Sequence, residues 1–364
     1  MIKYTEPSKI IKTEQFIREP VDLLSREILN HSSKKIILNG NGTGKSVILH
    51  HIQDKGLGTD KQTILTNFDS SINFMPFHFL NVLEDNKFVI HNYELLFSLE
   101  LLSYIKSNYS FTYEKNFQSC EEKLKKIVEE TEKAIRQRKL PFRLLSHGEY
   151  SEPILDLIKD LFNLHELNLA IDNFDQINSS SSESQQILSK YFPHFDKIII
   201  TSNDQELEKN DVFYTEGTKR KQELEKKGYA FITPEYGKDT DILKHMIKRR
   251  IKLDNTITTS TKQIMEEDND LANNIYEKIC TSSDGNISLA LRMANEVIEL
   301  LNSSTIYSNY YADSLFHHLE DNNGDLEYVT SSLENDCDDI LNKTKSNYEK
   351  TMKMRHKHAP KLKL

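Results

Sequence analysis

The residues best suited to chemistry in this chain lie together in Asn39-Gly40-Asn41-Gly42-Thr43-Gly44-Lys45-Ser46. Their spacing is close to Gly-x4-Gly-Lys-Ser/Thr, the pattern of a loop that cradles phosphates between a strand and a helix. Gly42 and Gly44 let the backbone curl so that successive N–H groups face an anion, next to the positive end of a helix starting at Lys45. Lys45 is placed to bridge the β- and γ-phosphates, and Ser46 to hold Mg2+ through its hydroxyl. Asn39, Gly40, Asn41, Thr43 and Val47 complete the expected contact set. Asn39 stands where the pattern has its first glycine, with Gly40 one place along. Asn is one of the few residues that tolerate a left-handed backbone, so the loop is expected to close there.

A second segment, Leu167-Asn168-Leu169-Ala170-Ile171-Asp172, is an apolar run ending in a carboxylate. That is what a magnesium ligand beside a phosphate loop requires, so Ser46 and Asp172 are the expected metal ligands. Hydrolytic members of the AAA+ class carry a Glu straight after this Asp. Here the residue is Asn173, whose amide cannot act as a general base, and Asp175 sits in the turn beyond. At most slow hydrolysis is expected. The run Ile198-Ile199-Ile200-Thr201-Ser202-Asn203 ends in polar residues where a γ-phosphate sensor would lie, with Asn203 the candidate. In Asp284-Gly285-Asn286-Ile287-Ser288-Leu289-Ala290-Leu291-Arg292, Asn286 or Ser288 is suited to capping a helix. Arg292 then either lies on that helix's surface or reaches the nucleotide as a second sensor. No Asn-Lys-x-Asp segment reads guanine, so the base stays open between guanine and adenine.

These residues need a scaffold. Continuous apolar runs without alternation at 167–171 and 197–201 predict parallel strands buried on both faces; 34–39, whose Ile36-Ile37-Leu38 feeds into glycines, reads as the first buried strand, 62–68 as a second, and 229–233 as a weaker candidate. Helical spacing appears around Leu23, Leu24 and Ile28, from Lys45 with Val47, Ile48 and Ile52, over 93–107, and from Pro153 to about Leu164. A charged helix is expected over 120–138, and from Asp239 the pattern is helical through Leu301. The expected fold is an α/β P-loop NTPase, AAA+-like: a parallel sheet flanked by helices with a C-terminal helical lid. The expected divisions are a strap and helix over 1–30, the α/β domain over 31–236, the lid over 237–301, and an extension over 302–364. Residues 178–184 and 302–309 read as exposed loops.

Composition bounds the partners. No stretch approaches the roughly 18 apolar residues of a membrane span. Three cysteines, far apart and odd in number, argue against a disulfide framework or zinc cluster and for a reducing compartment. The net charge of −9 argues against a nucleic-acid binder that uses its whole surface. The charge is uneven, however: acidic residues over 320–339 precede Lys350, Lys353, Arg355, Lys357, Lys361 and Lys363, a tail that is a candidate RNA contact. The N-terminus carries no secretory core, and Glu6, Glu14 and Glu19 break the acid-poor pattern of a transit peptide.

In their shared order these segments resemble one family, the GTP-binding, AAA+-like mitochondrial small-subunit ribosomal proteins also called death-associated protein 3. Ile17-Arg18-Glu19-Pro20 with Leu23-Leu24 is similar to the family's Val-Arg-x-Pro and Leu-Leu pair. Asn39 to Ser46 is similar to Gly-x-x-Gly-Thr-Gly-Lys-Thr. Leu144-Leu145-Ser146-His147-Gly148 and the helix to Leu161 look like the segment before the magnesium strand. Ala170-Ile171-Asp172-Asn173-Phe174 resembles Val-Asp-Gly, where the catalytic Glu is also missing, and Gly285-Asn286-Ile287-Ser288-Leu289 resembles Asn-Pro-Ser-Leu. The likeness is collinear over 14–300. It implies a place in the head of the mitochondrial small ribosomal subunit, in the matrix, among ribosomal proteins and small-subunit rRNA. It also implies that GTP or GDP with Mg2+ is a mainly structural ligand, ATP being the other possibility. Two other classes fit parts of the pattern. A DNA-associated AAA+ ATPase of the origin-recognition type would use the loop and Arg292, and a cycling signalling NTPase would hydrolyse its nucleotide.

Overall fold

Apolar runs that skip alternation belong to strands covered on both faces; four such runs and the more polar segment Lys61–Asn67 form one all-parallel sheet flanked by helices. The strands are β1 (Lys35–Leu38), β2 (Lys61–Asn67), β3 (Glu166–Asp172), β4 (Lys197–Thr201) and β5 (Tyr229–Ile232), in the spatial order β2-β3-β4-β1-β5. Ile36 pairs with Ile199 and with Ala230, and Ile64 with Leu169, all in parallel register. β4 is buried along its whole length and β3 everywhere after Glu166. Each such Ile or Leu contributes about 1.5–3 kcal/mol by leaving water. This computed structural model describes residues 18–56, 59–67, 151–162, 164–174, 191–202, 216–266, 270–303 and 323–357, with a few positions between 101 and 126. Most of the strap over 1–20, most of the helices expected at 93–107 and 120–138, the segments 144–148, 178–184 and 304–309, Asp175, Asn203 and the tail beyond 357 lie outside those residues.

The helices are α1 (Arg18–Asn30), α2 (Lys45–Gly56), α3 (Ser151–Phe162), α4 (Glu216–Lys226), α5 (Thr240–Leu253), α6 (Thr259–Glu266), α7 (Asp270–Ser283), α8 (Ile287–Ser303) and α9 (Asn323–Lys357). Among the described residues none is long and apolar enough to cross a membrane. In α1 the buried face is Val21, Ser25 and Ile28, spaced by four and three, as one side of a helix demands. Leu23, expected on that side, is 70% exposed because, at about 100° per residue, five residues set it about 140° round the helix from Ile28. The carbonyls left over at the end of α1 are met by a buried lysine: Lys197 Nζ donates to Ile28 O at 3.2 Å and His31 O at 2.8 Å. Burial lowers the Lys197 pKa, and the Glu166 carboxylate pulls it back up.

Two compact units divide the chain. One contains Glu27–Asn39 and Leu49–Ile232, and so the sheet; the other contains Gly40–Ile48 and Thr233–His358. In the second unit α5 starts at the Asp239 cap, whose carboxylate accepts the Asp241 and Ile242 N–H groups. Leu243, Met246, Ile247 and Ile251 of α5 share one core with Tyr276, Met293, Val297 and Ile298. The extension after 301 includes a 35-residue helix, α9, which adds Leu333, Cys337, Leu341 and Tyr348 to this core. Lys278–Asp338, at 2.9 Å, and Asn274–Glu334, at 2.6 Å, fasten α9 to α7. Burial pushes the Cys280 thiol up to about 11 and the Cys337 thiol up to about 12. Both therefore stay protonated near neutrality, which removes them as nucleophiles.

Candidate functional site

β1 ends at Leu38 and hands the chain to Asn39, whose N–H donates to Ile232 O at 2.9 Å while Leu38 O accepts from Ser202 N at 2.9 Å. The connection leaving β1 runs toward β2 and the one leaving β4 runs toward β5, in opposite directions along the sheet. The topological switch point, where open α/β sheets place their ligands, thus falls between the carboxyl ends of β1 and β4. The loop residues follow directly on β1.

The loop is built by left-handed glycines: φ is +100° at Gly40, +70° at Gly42 and +86° at Gly44. Asn39 was expected to take the left-handed turn, but it does not. It continues the ladder on β5, and Gly40, with no Cβ to clash, makes the turn one residue later. Asn39 is buried, and its Oδ1 accepts no hydrogen bond. Lys45 opens α2, is 6% exposed, and turns its ammonium back onto the Gly40 carbonyl. The Thr43 hydroxyl donates to the same carbonyl at 3.1 Å. Gly44 O accepts from Val47 and Ile48, closing the first turn of α2. No hydrogen bond in the described structure uses the main-chain N–H of Asn41, Gly42, Thr43, Gly44 or Ser46, and the Ser46 hydroxyl is likewise unengaged. Five backbone donors within six residues are therefore uncommitted where left-handed glycines curl the chain.

The same loop rests on residues of its own unit. Ser288 N donates to Gly42 O at 3.2 Å. A Cβ on Gly42 would fall 2.1 Å from Asn286 Oδ1, and one on Gly44 would fall 2.1 Å from the Tyr236 hydroxyl. Burial pushes the Tyr236 phenol well above its ordinary value, with the Arg250 guanidinium opposing, so the hydroxyl keeps its proton. Asn286 is the cap expected for α8: its Oδ1 accepts Leu289 N–H at 2.9 Å. Arg292 is exposed on α8 and stacks on the Tyr348 ring at 5.3 Å. The positions of Tyr236 and Tyr348 were not anticipated, because nothing local marks a contact between distant segments.

At the end of β3, Asp172 is buried and held by one oxygen. Thr201 Oγ1 donates to Asp172 Oδ1 at 2.6 Å, and Asn173 N–H reaches the same oxygen at 3.1 Å and Thr201 Oγ1 at 2.8 Å. Oδ2 takes no hydrogen bond from the described residues. A carboxylate fixed through one oxygen, with the other uncommitted, suits a hard cation. Asn173 has φ +54°, a conformation in which Asn is enriched and longer side chains are disfavoured. Among the described residues no group of three His, Cys, Asp or Glu side chains could hold a metal. Replacing Thr201 with Val should remove both bonds of its hydroxyl and cost about 1–3 kcal/mol, read as a lowered urea midpoint. An unchanged midpoint would show that the hydroxyl does not hold the strand end.

Comparison of the chain with protein-family models, with curated proteins and with solved structures finds no match.

Proposed function

We propose that the chain binds a magnesium-loaded nucleoside di- or triphosphate in the loop 39–47 and keeps it as a structural ligand, turning it over slowly or not at all. The single observation that carries this reading is the row of unengaged main-chain donors at Asn41, Gly42, Thr43, Gly44 and Ser46. Phosphate oxygens satisfy several such donors at once, and the first turn of α2 adds its dipole. The Lys45 ammonium and the Ser46 hydroxyl supply the charge and the metal ligand that the pattern requires. Asp172, with its uncommitted Oδ2, is the carboxylate that the sequence pattern offers for magnesium. Magnesium, when bound, would offset phosphate charge; the chain's own part is to hold and orient. With Asn173 in the position of the water-activating residue, no described side chain beside Asp172 is a general base.

The resemblance in motif order supports assigning the ligand as GTP or GDP, and the protein as a component of the mitochondrial small ribosomal subunit. A ligand that binds only the native state adds its binding free energy to stability. Denaturing the natively purified protein and separating the released nucleotide is expected to yield about one guanine nucleotide per chain. Finding none, together with no binding at millimolar magnesium nucleotide, would remove the proposal. Recovery of ATP instead, with ATP-dependent retention on duplex DNA, would favour the origin-recognition alternative. Sedimentation of mitochondrial lysate tests the ribosomal assignment, which requires the chain in the small-subunit peak.

A further inference from the structure

We propose that the C-terminal helix α9 positions the phosphate loop, with Tyr348 acting through Asn286 on the Gly42–Thr43 peptide. The inference rests on the nucleotide reading above and deepens it. A trans peptide points its C=O and N–H in opposite directions. The Gly42 carbonyl is held by Ser288 N–H at 3.2 Å, so the Thr43 N–H of that peptide points away from α8, as an unengaged donor. The orientation of a phosphate donor is therefore set by where the first turn of α8 sits.

That turn is held from both ends of one side chain. Asn286 Oδ1 caps α8 through Leu289 N–H at 2.9 Å and lies against Gly42, while Asn286 Nδ2 donates to Tyr348 Oη at 3.1 Å. Tyr348 is 9% exposed, sits in the core shared by α7, α8 and α9, and carries Arg292 on its ring. Asn carries an acceptor and a donor on one planar group and so serves both partners at once. The relay runs from α9 to Asn286, to the start of α8, and to the Gly42–Thr43 peptide. Coupling of this kind is reciprocal: if docked α9 favours nucleotide, nucleotide favours docked α9 by the same factor.

Tyr348→Phe keeps the ring, its packing and the Arg292 stack, and removes only the acceptor for Asn286. It is expected to weaken binding of magnesium-GDP about three- to tenfold, the worth of one buried hydrogen bond. In the wild-type full chain, saturating magnesium-GDP should slow amide exchange over 333–348 by a similar factor, and this protection should shrink in Tyr348→Phe. Unchanged affinity in Tyr348→Phe, with exchange over 333–348 indifferent to nucleotide, would overturn the inference. If at the same time Lys45→Ala weakens binding by about 10- to 100-fold, the nucleotide reading stands without it. If the wild-type chain binds no nucleotide at all, both fall together.

Discussion

Replacing Lys45 with Ala is expected to raise the dissociation constant for magnesium-GTP or magnesium-GDP by about 10- to 100-fold, since a charge-assisted hydrogen bond in a shielded site carries roughly 1.5–3 kcal/mol. The ammonium is buried at the start of α2 and folded back on the Gly40 carbonyl, so it lies within the loop rather than over it. Under the proposed function its loss removes a phosphate contact, and in any case the clamp on the Gly40 carbonyl. The two effects separate by thermal unfolding. Without nucleotide, any lowering of the midpoint reports the clamp. At a nucleotide concentration of about 100 times the wild-type dissociation constant, wild type should gain about 2.7 kcal/mol. A variant binding about 100-fold more weakly should gain only about 0.4 kcal/mol under the same conditions. Equal gains in the two proteins would mean that Lys45 touches no phosphate.

Gly44→Ala carries the largest expected loss of stability. The position holds φ +86°, and the added Cβ would lie 2.1 Å from the Tyr236 hydroxyl and 3.2 Å from the ring carbon that bears it. A left-handed L-residue costs about 1–2 kcal/mol and overpacking about 1–3 kcal/mol, so roughly 2–5 kcal/mol is expected in all. The two parts are separable in a double-mutant cycle. In a Tyr236→Phe background the clash with oxygen is gone while the backbone strain remains. Gly44→Ala should therefore cost about 1–2 kcal/mol less there. A cost identical in both backgrounds would show that Tyr236 does not rest on the loop and that the glycine is needed only for its dihedral angles.

The sheet was legible because Ile36–Leu38, Leu167–Ile171 and Ile198–Ile200 are continuous apolar runs, and a strand covered on both faces produces that pattern with few alternatives. The candidate loop was legible for a related reason: Gly42, Gly44 and Lys45 are a local signature, and glycine spacing writes backbone geometry into sequence. What stayed hidden depends on partners far along the chain. Thr201 was only one of the polar residues ending its run until β4 was set beside β3, where its hydroxyl meets Asp172. Asn39 was misread because its neighbour β5 supplies a ladder partner that no local rule foresees. Leu23 was misplaced by counting apolar residues without following the helix turn. The helix after 301 went unread: its long polar stretches mask the sparse contacts of Leu333, Cys337, Leu341 and Tyr348 with the helical core.

Whether the loop amides hold an anion can be seen directly at the glycines. The chain has only eleven, so a protein labelled with 15N at glycine alone gives a spectrum in which each amide can be followed while magnesium-GDP is added. Hydrogen bonding to phosphate oxygen should move the Gly42 and Gly44 amide signals strongly downfield, saturably, and in Lys45→Ala only at about 10- to 100-fold higher nucleotide. If all eleven signals stay where they are at millimolar nucleotide, the loop does not bind phosphate.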